Sequence, residues 1–139
     1  MSRTIAAVVL TLWVLFFFDM TLRWVPAATP PKPNLVPVAM MASDFRAGGR
    51  SFVVNFVGNI VVFLPIGILL PVATRRVKTA SRVGAACAAL SAAVEVIQYA
   101  TGRRVGDVDD VILNTAGGLL GWCVLSALRG YRRRRSDPA

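Results

Sequence analysis

The sequence predicts an all-α membrane protein, folded as a compact bundle of four transmembrane helices. Of its 139 residues, 55% are hydrophobic and only 17% are charged. The apolar residues are concentrated in four runs, each close to the ~20 residues that cross ~30 Å of hydrocarbon. A soluble protein of this size could not bury four helices that are apolar all round. The length suits a single integral membrane domain over residues 1–139.

The first run, about residues 4–25, has to be distinguished from a signal peptide. It begins after a basic residue, and the segment "VPA" near its end loosely fits a cleavage site. However, Asp19 and Arg23 interrupt the run, and its apolar centre ends far from that site. We therefore predict a retained transmembrane helix.

The other three predicted helices cover about residues 52–73, 83–100 and 108–128, and a basic tail follows at 129–139. The connection at 26–51 holds five of the eight prolines and then the apolar segment "VAMMASDF". A short helix in the membrane interface is the default prediction for that segment, and a re-entrant segment is the alternative.

The distribution of basic residues predicts the orientation. With four spans, the amino terminus, the 74–82 loop and the tail lie on one side and carry ten of the sixteen positive charges. Because short cytoplasmic segments are enriched in Lys and Arg, both termini are predicted to be cytoplasmic. The segment "YRRRR" is interpreted as a flank that touches anionic lipid, since no folded basic module accompanies it to suggest nucleic-acid binding.

Cysteine and histidine usage excludes several kinds of site. The chain has no histidine, which removes a Ser-His-Asp triad and the common zinc ligand sets. Cys87 and Cys123 both lie within apolar runs, so no disulfide framework is expected in the outer loops.

Polar residues recur at the outer level of all four predicted helices, and helical spacing brings several of them to one face. A polar side chain that faces lipid there costs ~3 kcal/mol or more, so these residues are expected to face the bundle interior. The candidates for a ligand-binding polar cluster are Asn55, Asn59, Glu95, Gln98, Arg103, Arg104, Asp107, Asp110 and Asn114, with Asp19, Arg50 and Asp109 as possible contributors.

A structural interpretation accounts for part of this cluster. Asp107 or Asp109 would cap the last helix, and an arginine at 103 or 104 would neutralise Glu95. Asn59 and Asn114 would form hydrogen bonds between helices. A polar pocket that opens outward better explains so many groups at one depth on one side of the membrane.

Two features concern packing alone. Gly117, Gly118 and Gly121 predict a close approach of helix backbones. Pro65 lies in the middle of the second span, where it should kink the helix and free a carbonyl near Val61 for a neighbour or water.

Four segments resemble successive signature blocks of the VanZ-like family of small bacterial membrane proteins. They are "PNLVPV" (33–38), "NFVGNIVVFLPIGILLP" (55–71), "SAAVEVIQ" (91–98) and "GRRVGDVDDVILNTAGGLLG" (102–121). The resemblance covers nearly the whole chain and is weakest in the first helix and the arginine tail. Val38 departs from it, because the family has Phe after the proline. The resemblance implies a multi-pass protein of the bacterial cytoplasmic membrane and lowered susceptibility to lipoglycopeptides such as teicoplanin.

Three functions remain open at this level, and the sequence defines no oligomeric state. The favoured one is a non-catalytic binder of an amphiphile, either a lipoglycopeptide or an envelope lipid, with Arg50, Arg103 and Arg104 at its phosphate or carboxylate. It needs no cofactor, and no metal ligand is assigned. The second is a Mg²⁺-assisted enzyme acting on a lipid-linked phosphate or ester, with the metal held by the acids at 95 and 107–110. The third is a structural or transport-assisting subunit, in which the cluster only holds the helices together.

Overall fold

A computed structural model describes residues 1–22, 33–101 and 106–136, which form five helices. Four of them are long and apolar enough to cross a membrane, and the described residues contain no strand beyond one isolated bridge. The prediction of an all-α, four-span architecture is confirmed, and the chain is a multi-pass membrane protein. The helices are α1 (Arg3–Leu22), α2 (Ala39–Ala47), α3 (Arg50–Ala73), α4 (Ala80–Ala100) and α5 (Val108–Ser136).

Two differences between the observed and the predicted helix ends have a local explanation. α4 begins at Ala80, before the predicted residue 83, because the Thr79 side chain caps it by accepting the Arg82 N–H at 3.4 Å. α5 continues to Ser136 and does not end near 128. Arginine is a good helix former, and positive charge suits a helix carboxyl end, so the basic segment extends the helix.

Helix α3 is central to the bundle, since it packs against every other helix and most extensively against α5, whereas α4 packs mainly against α5 and α1 mainly against α3. The α3–α5 contact depends on glycine. A methyl group on Gly117 would overlap the Ile60 carbonyl, and one on Gly121 would overlap the Leu64 carbonyl. Only glycine permits this approach, as its spacing in the sequence indicated. The buried apolar core beside it comprises Phe17, Phe63, Ile66, Val83, Cys87 and Val94.

Pro65 lies inside α3, and the helix continues through it. The Trp13 indole Nε1–H of α1 donates to the Val62 carbonyl at 2.9 Å, one residue from the carbonyl that proline leaves without its usual donor. An edge-to-face contact of Phe17 with Phe63, at 5.3 Å between ring centroids, adds to the α1–α3 interface. A neighbouring helix thus provides a donor beside the proline, while the predicted kink and the predicted partner of the Val61 carbonyl itself stay predictions.

The described part of the 26–51 connection contains the predicted short helix, α2. The connection is fastened to the start of α5 by a backbone bridge, in which Asn34 N donates to Gly106 O at 2.9 Å and Val108 N donates to Asn34 O at 3.1 Å. Placement of α2 in the membrane interface stays a prediction.

Candidate functional site

A cavity of about 540 Å³ lies where α1 and α4 end and α3 and α5 begin, which we call the cavity end of the bundle. Six of the nine principal sequence candidates line it, and all four long helices contribute. Its lining is Phe17, Met20, Thr21, Val54, Asn55, Gly58, Asn59, Val62, Val94, Glu95, Gln98, Asp110 and Asn114.

One wall of the cavity is apolar and reaches the surface of the bundle. Met20 on α1 is 56% exposed and Val54 on α3 is 62% exposed, so the space beside them is not closed off by packing. Gly58 lies on the same wall, and a methyl group added there would meet nothing within 4 Å. Met20 and Val54 both belong to helices that are long and apolar enough to cross a membrane.

The opposite wall is polar and joins three helices by hydrogen bonds. Asn59 Nδ2 donates to Asp110 Oδ1 at 2.5 Å, which links α3 to α5. Asn114 Nδ2 donates to the Ser91 hydroxyl at 2.8 Å, which links α5 to α4. Both asparagines therefore form interhelical hydrogen bonds, as the structural interpretation of the sequence proposed.

Glu95 connects the cavity wall to the start of α5. Its Oε2 accepts the Asp107 N–H at 2.7 Å, and a carboxylate beside a helix amino terminus is favourably placed in the helix dipole. Arg103 and Arg104, the predicted partners of Glu95, lie outside the described residues.

Asp107 is a capping residue and does not line the described cavity wall. Its Oδ1 accepts the Asp109 N–H at 2.9 Å, the bond expected of a residue that caps α5, and also the Asn34 side-chain amide at 2.7 Å. Asn34 was not among the sequence candidates. Its partner lies 73 positions away along the chain, so no local pattern pointed to it.

Asp109 caps α2 from another helix. It is only 2% exposed, and its carboxylate accepts the backbone N–H groups of Val38, Met40 and Met41 at 2.5, 3.0 and 3.1 Å. Val38 precedes α2 with φ 68° and has no polar side chain to cap the helix itself. An apolar residue in the cap position is the sequence signal for such a distant acceptor.

Two buried amides on the polar wall are incompletely satisfied. Gln98 is 2% exposed and Asn114 is 4% exposed. Gln98 Oε1 and Asn114 Oδ1 accept no hydrogen bond from the described residues. Such an oxygen costs ~1–3 kcal/mol when it stays without a donor, so the wall is suited to a further polar partner.

The remaining candidates lie at the edge of the cavity or away from it. Asn55 lines it and donates to Asp44 of α2 at 2.7 Å, whereas Asp19 and Arg50 are exposed and outside the described lining. Among the described residues, no three Asp, Glu, Cys or His side chains are grouped to hold a metal ion. The acids at 107 and 109 instead serve as helix caps.

Comparisons with known proteins agree with the resemblance in the sequence. The model of the VanZ/LLP1 family matches residues 4–129. Protein VanZ of Enterococcus faecium is 35% identical over 67 residues, which are 48% of this chain and 41% of that protein. The matched stretch is therefore less than half of the length of that curated relative. No solved structure matches the chain.

Proposed function

The chain belongs to the VanZ/LLP1 family, and from this premise we propose that it binds an amphiphile in the cavity without chemical conversion. The observation that carries the proposal is the two-sided cavity wall. Buried amides and carboxylates form one side, and an apolar side that reaches the bundle surface forms the other. An amphiphile requires this combination, with its head at the polar side and its tail beside Met20 and Val54.

The use of the acids supports binding over catalysis. A metal-assisted reaction needs carboxylate oxygens free to coordinate, whereas both oxygens of Asp109 accept backbone N–H groups. Moving the Asp109 carboxylate to a metal would uncap α2.

Family membership suggests the biological consequence. A protein that holds the acyl tail of a lipoglycopeptide such as teicoplanin, or the envelope lipid that the drug requires, would lower susceptibility by sequestration or exclusion. Arg50 begins α3 at the cavity end and is exposed, so it is available to a phosphate or carboxylate of the bound molecule.

The proposal requires the cavity end to face outward in the bacterial cytoplasmic membrane, with both termini in the cytoplasm. The orientation is supported by the sequence, in which ten of the sixteen basic residues belong to the amino terminus, the 74–82 segment and the carboxyl-terminal tail. Cysteines introduced at Ser43 and Thr101, in a background without Cys87 and Cys123, should react with a membrane-impermeant thiol reagent on intact cells. Protection of both positions until lysis would reverse the orientation.

Gly58→Leu tests the cavity directly. Gly58 lines the cavity and no atom lies within 4 Å of an added Cβ, so we expect a leucine there to occupy part of the cavity with little change to the backbone. Gly130→Leu is the matched control, since Gly130 also has open space around it and lies outside the cavity lining. Each protein in lipid nanodiscs is mixed with teicoplanin, deacylated teicoplanin or a lipid-linked cell-wall precursor, with and without EDTA.

We expect an acylated ligand to raise the Tm of the native protein and of Gly130→Leu, and to leave Gly58→Leu unchanged. EDTA should have no effect, and the mass of the ligand should not change. In cells, Gly58→Leu should abolish any protection from teicoplanin at equal expression. A metal-dependent product would show that the protein is an enzyme. Equal Tm shifts in all three proteins would show that the ligand does not bind in the cavity.

A further inference from the structure

The polar wall of the cavity has more hydrogen-bond acceptors than the described residues satisfy. The Gln98 amide is oriented by the Thr21 carbonyl, which can only accept, so Nε2 is the donor of that 3.5 Å bond and Oε1 is necessarily an acceptor. This oxygen is buried and accepts no bond from the described residues. It lies in a residue that lines the cavity.

Asn114 adds an adaptable second group. Its partner, the Ser91 hydroxyl, can donate or accept, so the Asn114 amide can turn either its oxygen or its nitrogen to that bond. In the arrangement observed, Oδ1 is the atom without a described partner. Both residues line the cavity, and a terminal amide torsion is broad, so either amide can adjust its orientation toward a bound group.

We infer that the bound amphiphile has a head that donates hydrogen bonds through O–H or N–H groups, with Gln98 Oε1 as its principal acceptor. This inference rests on the proposed function and names the chemistry of its ligand. A head that carries only acceptors, or only methylated nitrogen, leaves the buried oxygen unpaired. Each missing bond should weaken binding by about tenfold.

The test uses the full chain in phosphatidylcholine nanodiscs and four amphiphiles that share a twelve-carbon tail. They differ in whether the head donates hydrogen bonds. Dodecyl glucoside donates through hydroxyls, and dodecylamine donates through an ammonium group. Dodecyltrimethylammonium has the charge without a donor, and dodecyldimethylamine oxide only accepts. Dissociation constants below the critical micelle concentration are compared for the native protein, Gln98→Met and Thr101→Val. Thr101 lies near the same end of α4 and outside the cavity lining.

We expect the native protein and Thr101→Val to bind the glucoside, the amine or both at least tenfold more tightly than the two amphiphiles without donors. Which donor binds distinguishes a hydroxyl from an ammonium source. Gln98→Met should abolish the preference while it keeps binding of the tail. Equal affinity for all four amphiphiles, or an unchanged preference in Gln98→Met, would overturn the inference alone. Failure of every amphiphile to bind would overturn the proposed function itself.

Discussion

Helices α3 and α5 touch in two regions that are built in opposite ways. In the middle of the pair, Gly117 and Gly121 bring α5 against the backbone of α3 so closely that no methyl group fits. At the cavity end, the helices are joined by the side chains of Asn59 and Asp110, and Gly58 has open space around it. Glycine therefore allows close helix contact in one region and leaves open space along the cavity wall in the other.

The difference shows how this bundle can contain a cavity. Apolar side chains gain little by leaving lipid for another helix, so close packing and hydrogen bonds hold membrane helices together. The glycine contacts supply the packing, and the polar side chains bridge the helices where they separate. The cavity end can hold open space because the middle of the same pair is in tight contact.

Gly117→Ala, which disrupts the close α3–α5 contact, should have the largest effect on stability. The new methyl group overlaps the Ile60 backbone, so the helices must separate, at a cost of about 3 kcal/mol. Thermal unfolding in detergent should show a large fall in Tm or a loss of folded protein. A Tm within the error of the native value would mean that α3 and α5 do not touch at this point.

Asp109→Ala should have the next largest effect, because it leaves the backbone N–H groups of Val38, Met40 and Met41, at the start of α2, without their acceptor. We expect a loss of about 2 kcal/mol and faster trypsin cleavage after Arg46 and Arg50, with Asp109→Asn intermediate. Since Asp109 does not line the described cavity wall, ligand binding should persist. Unchanged cleavage in both variants would contradict the capping role.

The hydrogen bond between Ser91 and Asn114 should contribute a smaller amount. A double-mutant cycle of Ser91→Ala and Asn114→Ala measures their coupling, which we expect to be about 0.6–1 kcal/mol. Thermal stability of the two single variants and the double variant in one detergent provides the measurement. Strict additivity would show that the 2.8 Å contact contributes nothing to stability.

Gly58→Ala should have the smallest effect and the opposite sign from Gly117→Ala. Alanine lowers the conformational freedom of the unfolded chain and meets no atom within 4 Å, so stability should rise by up to about 1 kcal/mol. A loss of stability comparable to that of Gly117→Ala would show that the cavity is closed in the membrane.

Much of the candidate site follows from helical periodicity. Asn55 and Asn59, and Glu95 and Gln98, line the cavity as their shared helix faces indicated. Asp110 and Asn114, four positions apart on α5, also line the cavity, whereas the candidate Asp107 does not. Asp107 precedes the first residue of α5, so helical spacing does not apply to it, and it caps the helix instead. Whether the lining residues bind a ligand stays a prediction.

The sequence by itself determined the number of membrane spans. The length and apolarity of each run are local properties, and they can be compared directly with the thickness of the bilayer. It also placed the close helix contact at the glycines of α5 and most of the polar wall at one end of the bundle. Only the tertiary structure decided that Asp109 caps α2, that Asn34 binds Asp107, and that two buried amide oxygens have no described donor. These properties depend on tertiary contacts between segments far apart in the sequence, and local periodicity does not specify such contacts.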